Sequence, residues 1–118
     1  NKADLRDTKV LNPISRVALA FRLRGMKDNC LKSCENALLL YNEYLAIQTE
    51  FLPPAHPDTT ATHQNIAATY DEIGLIFIGM KQYPDALINC DRALEIYQRC
   101  PLDNENKRNL AGVWKRIR

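Results

Sequence analysis

Cysteine and histidine are the residue types in this 118-residue sequence that could bind a metal ion or carry out redox chemistry. Cys30 and Cys34 are four positions apart and share one face if the segment is helical. A zinc site would need further ligands, and the candidates for them are His56, His63 and Cys90. The sequence has no Cys-x-x-Cys pair, and its spacing is unlike that of structural zinc sites. Because a buried thiol packs as a small apolar side chain, we interpret the cysteines as core residues and predict no metal site and no cofactor.

The histidines also raise the question of catalysis. His56 lies in a His-Pro-Asp segment and could form an acid–base pair with Asp58. No nucleophile has a recognisable spacing from that pair, and the sequence has no phosphate-binding loop, nucleophile elbow or His-Glu-x-x-His motif. We therefore expect turn-forming and surface roles for His56 and His63, and we predict that the chain has no catalytic residues and is not an enzyme. Cys100, just before a proline, is predicted to be the most exposed thiol.

Prolines and nearby capping residues divide the chain into segments, and the scarcity of glycine and proline favours helices. The first helix is predicted to begin at Pro13 and to stop at Gly25. Asp28, Asp58 and Asp103 are the predicted caps of later helices. The prediction is a single all-α domain with an N-terminal extension at 1–12, a first helix pair at 13–52, a linker at 53–58, a second helix pair at 59–100 and a last helix at 101–118 that caps the core or begins a further repeat.

An internal repeat relates the second and the fourth predicted helices. Five residues of the apolar face recur, unchanged in type, 56 positions later. They are Leu31, Cys34, Ala37, Leu38 and Tyr41, which match Leu87, Cys90, Ala93, Leu94 and Tyr97. Because identical side chains occupy the face that packs in the core, the sequence predicts two helical hairpins with similar packing.

Residues 70–97 carry a pattern of large and small side chains that resembles the tetratricopeptide repeat. The pattern consists of Tyr70, Ile73-Gly74, Phe77, Tyr83, Ala86 and Ala93, in this order. The linker FLPPAHPDT is similar to that of the long-repeat subclass found in kinesin light chains. The resemblance implies a right-handed solenoid of about five helices, in which Leu19-Ala20 stands where Ile73-Gly74 does in the second repeat. The repeat-core residues that it implies are Leu19, Cys34, Ala37, Tyr70, Ile73, Gly74, Phe77, Tyr83, Ala86, Cys90 and Ala93.

The separation of 56 positions is longer than the roughly 42-residue unit of that subclass. The excess divides equally between the two sides of the PPAHPD loop and adds about two helical turns to each side. We therefore predict a lengthened central antiparallel hairpin that projects beyond the rest of the solenoid, with added segments at Glu43–Glu50 and Thr59–Ile66.

Charge is unevenly distributed along the chain, although the total is only +2. Residues 1–27 carry a net +5, residues 28–105 a net −8 and residues 106–118 a net +5. The acidic centre favours a partner with basic segments, whereas the small total charge and the lack of a binding motif disfavour nucleic acid. No apolar run is long enough to cross a membrane, and thiols inside helical patterns favour a cytoplasmic location.

The resemblance also implies a function. In tetratricopeptide proteins the first helices of successive repeats line a concave groove, and the corresponding positions here form the predicted partner-binding set. It comprises Val17, Phe21, Arg24, Asp71, Leu75, Ile78, Arg108 and Lys115. We predict a non-catalytic protein–protein interaction module, a scaffold or adaptor that binds a peptide or helix of a partner protein in this groove. The alternative is a structural repeat domain that forms homodimers or larger assemblies through the long hairpin or its open ends.

Overall fold

The computed structural model describes the backbone of residues 8–100 and 104–117, and the side chains of residues 13–100 and 107–115. Within these residues the secondary structure consists of five α-helices and no β-strand. The helices are α1 (Thr8–Asp28), α2 (Leu31–Phe51), α3 (Pro57–Gly79), α4 (Tyr83–Arg99) and α5 (Asn104–Ile117). The all-α prediction is confirmed for the described part of the chain, and α4 and α5 lie within the predicted segments at 59–100 and 101–118.

Short turns set the order in which the helices pack. Turns of two, five and three residues join α1 to α2, α2 to α3 and α3 to α4, so successive helices run antiparallel. Each of these turns contains one residue with left-handed backbone, namely Asn29, Ala55 and Lys81. α5 packs on α4, and α3 contacts both α1 and α5. None of the described helices combines the length and the apolar character that crossing a membrane requires.

α1 departs from the prediction at both ends. It begins at Thr8, so Pro13 lies inside the helix and not at its first position. Pro13 has no N–H, and the helix accommodates it with the loss of one intrahelical hydrogen bond. Gly25 does not end the helix either, because α1 continues to Asp28 and Asn29 supplies the left-handed residue at the stop. Asparagine tolerates this conformation, so the stop does not require a glycine.

The cap of α3 is His56 and not Asp58. The His56 Nδ1 atom accepts a hydrogen bond of 3.0 Å from the backbone N–H of Asp58, so a neutral His56 carries its proton on Nε2. The helix begins before Asp58 because a proline fills its first position, where a missing N–H costs nothing. α2 is likewise preceded by Cys30 as its cap, not by Asp28. The predicted cap Asp103 lies outside the described residues.

α2 and α3 are long, with 21 and 23 residues, and the segments near their shared loop pair with each other. The buried Gln48 side chain joins them. Its Oε1 accepts a 2.6 Å hydrogen bond from the Thr62 hydroxyl, and its Nε2 donates one of 3.2 Å to the Asp58 carbonyl. These bonds satisfy polar groups that burial would otherwise penalise. The expected projection of this pair is absent, because α1 also has 21 residues and packs along α2.

A glycine and a cysteine make a close approach between the two helices of each hairpin. At Gly74 a Cβ atom would lie 2.6 Å from the Cys90 Sγ and 3.3 Å from the Ala86 carbonyl oxygen. At Gly25 a Cβ atom would collide with the Cys34 Sγ in the same way. The buried thiols therefore occupy space that the glycines leave open, and the two hairpins share one packing arrangement.

This packing changes the alignment of α1 with α3. Gly25, and not Ala20, occupies the place of Gly74, so equivalent residues of α1 and α3 are 49 positions apart. This separation differs from the 56 positions between α2 and α4 because the chain between the two helices of a hairpin differs in length. Nine positions separate Gly25 from Cys34 in the first hairpin, and 16 separate Gly74 from Cys90 in the second. Leu19, which the resemblance places in the core, is consequently exposed. Tyr83, at the start of α4 in the longer turn region, is exposed as well.

The other residues expected in the repeat core lie inside the molecule. Seven are buried and two are partly buried against the same clusters. The buried ones are Cys34, Ala37, Ile73, Gly74, Ala86, Cys90 and Ala93, and the partly buried ones are Tyr70 and Phe77. Tyr41 and Tyr97, which belong to the repeat of 56 positions, are also buried.

Candidate interaction surface

α1 exposes more large apolar side chains than any other described helix. Leu19, Leu23 and Met26 are four and three positions apart, so they share one face, and each is between 39% and 49% exposed. We call these three residues the α1 stripe. Val17, which is 48% exposed, precedes Leu19 by two positions and is rotated from it by about 200°. α1 therefore exposes apolar surface on two opposite sides.

Arg22 determines which side of α1 faces α3. Its Nη1 donates a hydrogen bond of 3.3 Å to the Asn65 side-chain oxygen, and its Nε lies 3.6 Å from the Glu72 Oε1. Both charged side chains are largely buried. Because Met26 follows Arg22 by one turn, the α1 stripe borders this contact. Leu75 follows Glu72 by one turn on α3 and borders the contact from the other side.

A pocket lies along α1 on the side of Val17. Val17, Ala20, Phe21 and Arg24 line it among the described residues, and its volume is about 350 Å³. We call it the α1 pocket. It contains three of the eight predicted groove residues. The other five lie elsewhere, with Asp71, Leu75 and Ile78 on α3 and the exposed Arg108 and Lys115 on α5. The structure does not bring the eight residues together. The sequence alignment paired Ala20 of α1 with Gly74 of α3, whereas the packing pairs Gly25 with Gly74, so the α1 residues were chosen five positions away from the equivalent ones.

The described cysteines form no disulfide with one another, and their surroundings differ. Burial raises the pKa of Cys34 to about 11, and the nearby Glu72 carboxylate acts in the same direction. A hydrogen bond with the Ser33 side chain lowers the pKa of the partly exposed Cys30. Cys100, expected to be the most exposed thiol, is buried at the end of α4. Cys30 is therefore the accessible thiol of this chain.

Pulse alkylation of the folded chain at about pH 8 is expected to modify Cys30 first, because a lowered pKa and partial exposure both speed the reaction. The other three cysteines are buried and should react only when the chain unfolds. Mass spectrometry of the peptides identifies the modified residue, and Cys30→Ser should remove the fast reaction. Rapid modification of Cys100 in the folded chain would contradict this assignment.

His63 lines a second pocket, of about 570 Å³, between the α2–α3 loop and the end of α4. Thr59 and Arg99 are among its neighbours there, and Arg99 is bound to Glu95 at 2.7 Å. No carboxylate belongs to the described lining, and the described residues contain no group of three potential metal ligands.

The α1 stripe is not evident from the sequence, although its four-and-three spacing indicates a helix face. The spacing does not tell which face of α1 is inside, and the contact of Gly25 with Cys34 and the burial of Ala18 show this in the structure. The pair of Arg22 with Glu72 has no sequence signal, because its members are 50 positions apart in different helices. Comparisons of the chain with protein-family models, with curated proteins and with solved structures each give no match.

Proposed function

We propose that this chain is a non-catalytic protein-interaction module that binds a helix or extended segment of a partner protein along the α1 stripe and Leu75. In this proposal the hairpins form a tetratricopeptide-like solenoid, and α1, α3 and α5 contribute its binding face. The shared packing of the two hairpins and the contacts of α3 with both α1 and α5 support a solenoid.

The exposure of the α1 stripe is the observation that carries the proposal. Its three large apolar side chains share one face of α1, and Leu75, one turn after Glu72 on α3, is 39% exposed. Full burial of a large aliphatic side chain contributes about 1.5–3 kcal/mol, so even partial burial of four such residues is a substantial driving force for association. Anchors at helical spacing suit an amphipathic helix or a peptide laid along the seam between α1 and α3.

Basic side chains border the α1 stripe on its solvent side. Arg16 and Lys27 are exposed, and helix geometry places them within about 40° of Leu23 around the axis of α1. Acidic residues beside a partner's apolar anchors would complement these charges. This surface favours an acidic partner, in contrast to the basic partner suggested by the net charge of residues 28–105.

Affinity capture from a lysate of the source cells, with the intact chain immobilised and the captured proteins quantified by mass spectrometry, tests this proposal. The stripe variant carries Leu19→Glu, Met26→Glu and Leu75→Glu. The control variant changes exposed apolar residues of α2 and α4, namely Leu39→Glu, Leu87→Glu and Ile88→Glu, which are together more exposed than the three stripe-variant residues. Thermal melts of both variants establish that each remains folded.

We expect the stripe variant to capture at least about tenfold less of each protein that both the wild type and the control variant capture. The reason is that a few side chains in the centre of an interface dominate its affinity. Equal capture by the two variants contradicts the proposal. If the captured protein is the chain itself, the particle mass from light scattering identifies self-assembly.

A further inference from the structure

Each hairpin holds the helix that follows it by the same contact. In the first hairpin, Ala37 and Tyr41 of α2 belong to one buried cluster with Ile66 of α3. The alanine and the tyrosine are one turn apart on the same face of α2. Together they form the surface on which Ile66 packs.

The second hairpin repeats this contact. Ala93 and Tyr97 of α4 belong to one buried cluster with Val113 of α5, which is fully buried. Ile66 and Val113 therefore have equivalent positions in the packing. Each is a β-branched residue, and each packs on an alanine and a tyrosine of the preceding hairpin.

The equivalent residue of α1 is Val17. The separation of 49 positions between α1 and α3 pairs Ala18 with Ala67, and both alanines are fully buried. The same separation pairs Val17 with Ile66. Val17, however, is about half exposed, and it lines the α1 pocket together with other α1 residues. In the described part of the chain, Val17 is thus not covered by an alanine and a tyrosine as Ile66 and Val113 are.

The charges around the α1 pocket indicate which kind of helix fits it. Arg24 lines the pocket, and Arg16 and Lys27 are exposed on the neighbouring surface of α1. Asp28 is the single acidic residue of α1. By contrast, α2 and α4, which supply the alanine and the tyrosine to α3 and α5, each carry more acidic than basic residues. A basic edge on α1 and an acidic docking helix are electrostatically complementary.

We propose that the α1 pocket docks an acidic amphipathic helix of another protein molecule, which presents a small residue and, four positions later, a tyrosine. The small residue admits Val17, the tyrosine packs beside Phe21, and an acidic side chain pairs with Arg24. This site lies on the opposite side of α1 from the α1 stripe, so it does not depend on the function proposed above.

A labelled synthetic peptide with the sequence of α2, Leu31–Phe51 carrying Cys34→Ser, is the probe for this site. Fluorescence anisotropy measures its binding to the intact chain at low salt. We expect saturable binding to the wild type and an affinity at least about tenfold lower with the Val17→Glu chain. Tyr41→Ala in the peptide should weaken binding as well, because it removes the side chain that fills the pocket.

Leu87→Glu, at an exposed apolar residue of α4 outside both surfaces, is the matched control and is expected to leave the affinity unchanged. Ala20→Glu provides a second test of the pocket if Val17→Glu unfolds the chain. The proposal is overturned if the peptide does not bind at about 1 mM, or if neither pocket variant weakens its binding. A loss with Met26→Glu alone also overturns it and instead places the peptide on the α1 stripe.

Discussion

Gly74→Ala is expected to lower the free energy of unfolding by about 1–3 kcal/mol, although alanine is the better helix former. The added Cβ would lie 2.6 Å from the Cys90 Sγ and 3.3 Å from the Ala86 carbonyl oxygen, so α3 and α4 must move apart or the thiol must shift. Inside a helix alanine normally gains about 0.5–1 kcal/mol over glycine, and the steric overlap has to exceed this gain. Gly25→Ala meets Cys34 in the same way, and we expect a loss of similar size.

Gly79 is the matched control, because it lies in the same helix and a Cβ there would meet nothing within 4 Å. Gly79→Ala should be neutral or stabilise by up to about 1 kcal/mol. Cys90→Ala removes the sulfur atom, so in that background Gly74→Ala should cost at least about 1 kcal/mol less. Urea denaturation followed by circular dichroism measures the free energy of unfolding of the wild type and of each variant. Additive effects of Gly74→Ala and Cys90→Ala, or a Gly74→Ala chain as stable as Gly79→Ala, would show that this contact does not determine the packing.

Arg22→Met is expected to destabilise the chain by about 2 kcal/mol, because it leaves the Glu72 carboxylate in largely buried surroundings without this cation. The Arg22 Nε lies 3.6 Å from the Glu72 Oε1, and the two side chains are 17% and 12% exposed. The pair is therefore expected to contribute more to stability than a surface ion pair and less than a fully buried one. Adding Glu72→Gln should recover most of the loss, since a neutral amide is less costly to bury than a carboxylate. Arg22 also acts to lower the pKa of Cys34, so its removal should raise that pKa further.

Arg16→Met is the control for this prediction, because Arg16 is exposed on the same helix and its loss should change stability by less than about 0.5 kcal/mol. Thermal and urea denaturation give the stabilities, and the Cys34 Cβ chemical shift, followed by NMR during an alkaline titration, reports the pKa of its thiol. If Arg22→Met is as stable as Arg16→Met, then the pair does not hold α1 against α3. The position of the α1 stripe beside Leu75 would then need another cause.

Helix bounds that depend on local signals could be predicted from the sequence, and those that depend on the surroundings could not. α5 begins at Asn104, directly after the predicted cap Asp103, and α4 begins at Tyr83, next to a proline that favours a helix start. Pro13 looks like a helix start as well, but the turn that precedes it is itself helical, and a proline is tolerated at the loss of one hydrogen bond. Gly25 has two possible uses, as a helix stop and as a site of close approach, and the position of Cys34 decides between them.

The candidate site depended on the alignment of α1 with α3, which the sequence determines poorly. α2 and α4 could be aligned because five residue types recur at one separation. α1 and α3 share chiefly small residues, Ala18 with Ala67 and Gly25 with Gly74, and such residues are too common to align two helices. Their equivalence becomes visible through burial and contact, because the length of the turn shifts one helix against its partner.

Amide hydrogen exchange of the intact chain, measured alone and bound to the partner recovered by affinity capture, tests the central claim most directly. We expect slower exchange in the complex at residues 19–26 of α1 and around Leu75 of α3, because the partner covers these residues and suppresses local opening of the helices. Exchange near Leu87 and Ile88 should be unchanged. Unchanged exchange at residues 19–26, with slower exchange confined to α4, would contradict the assignment of the α1 stripe as the binding surface.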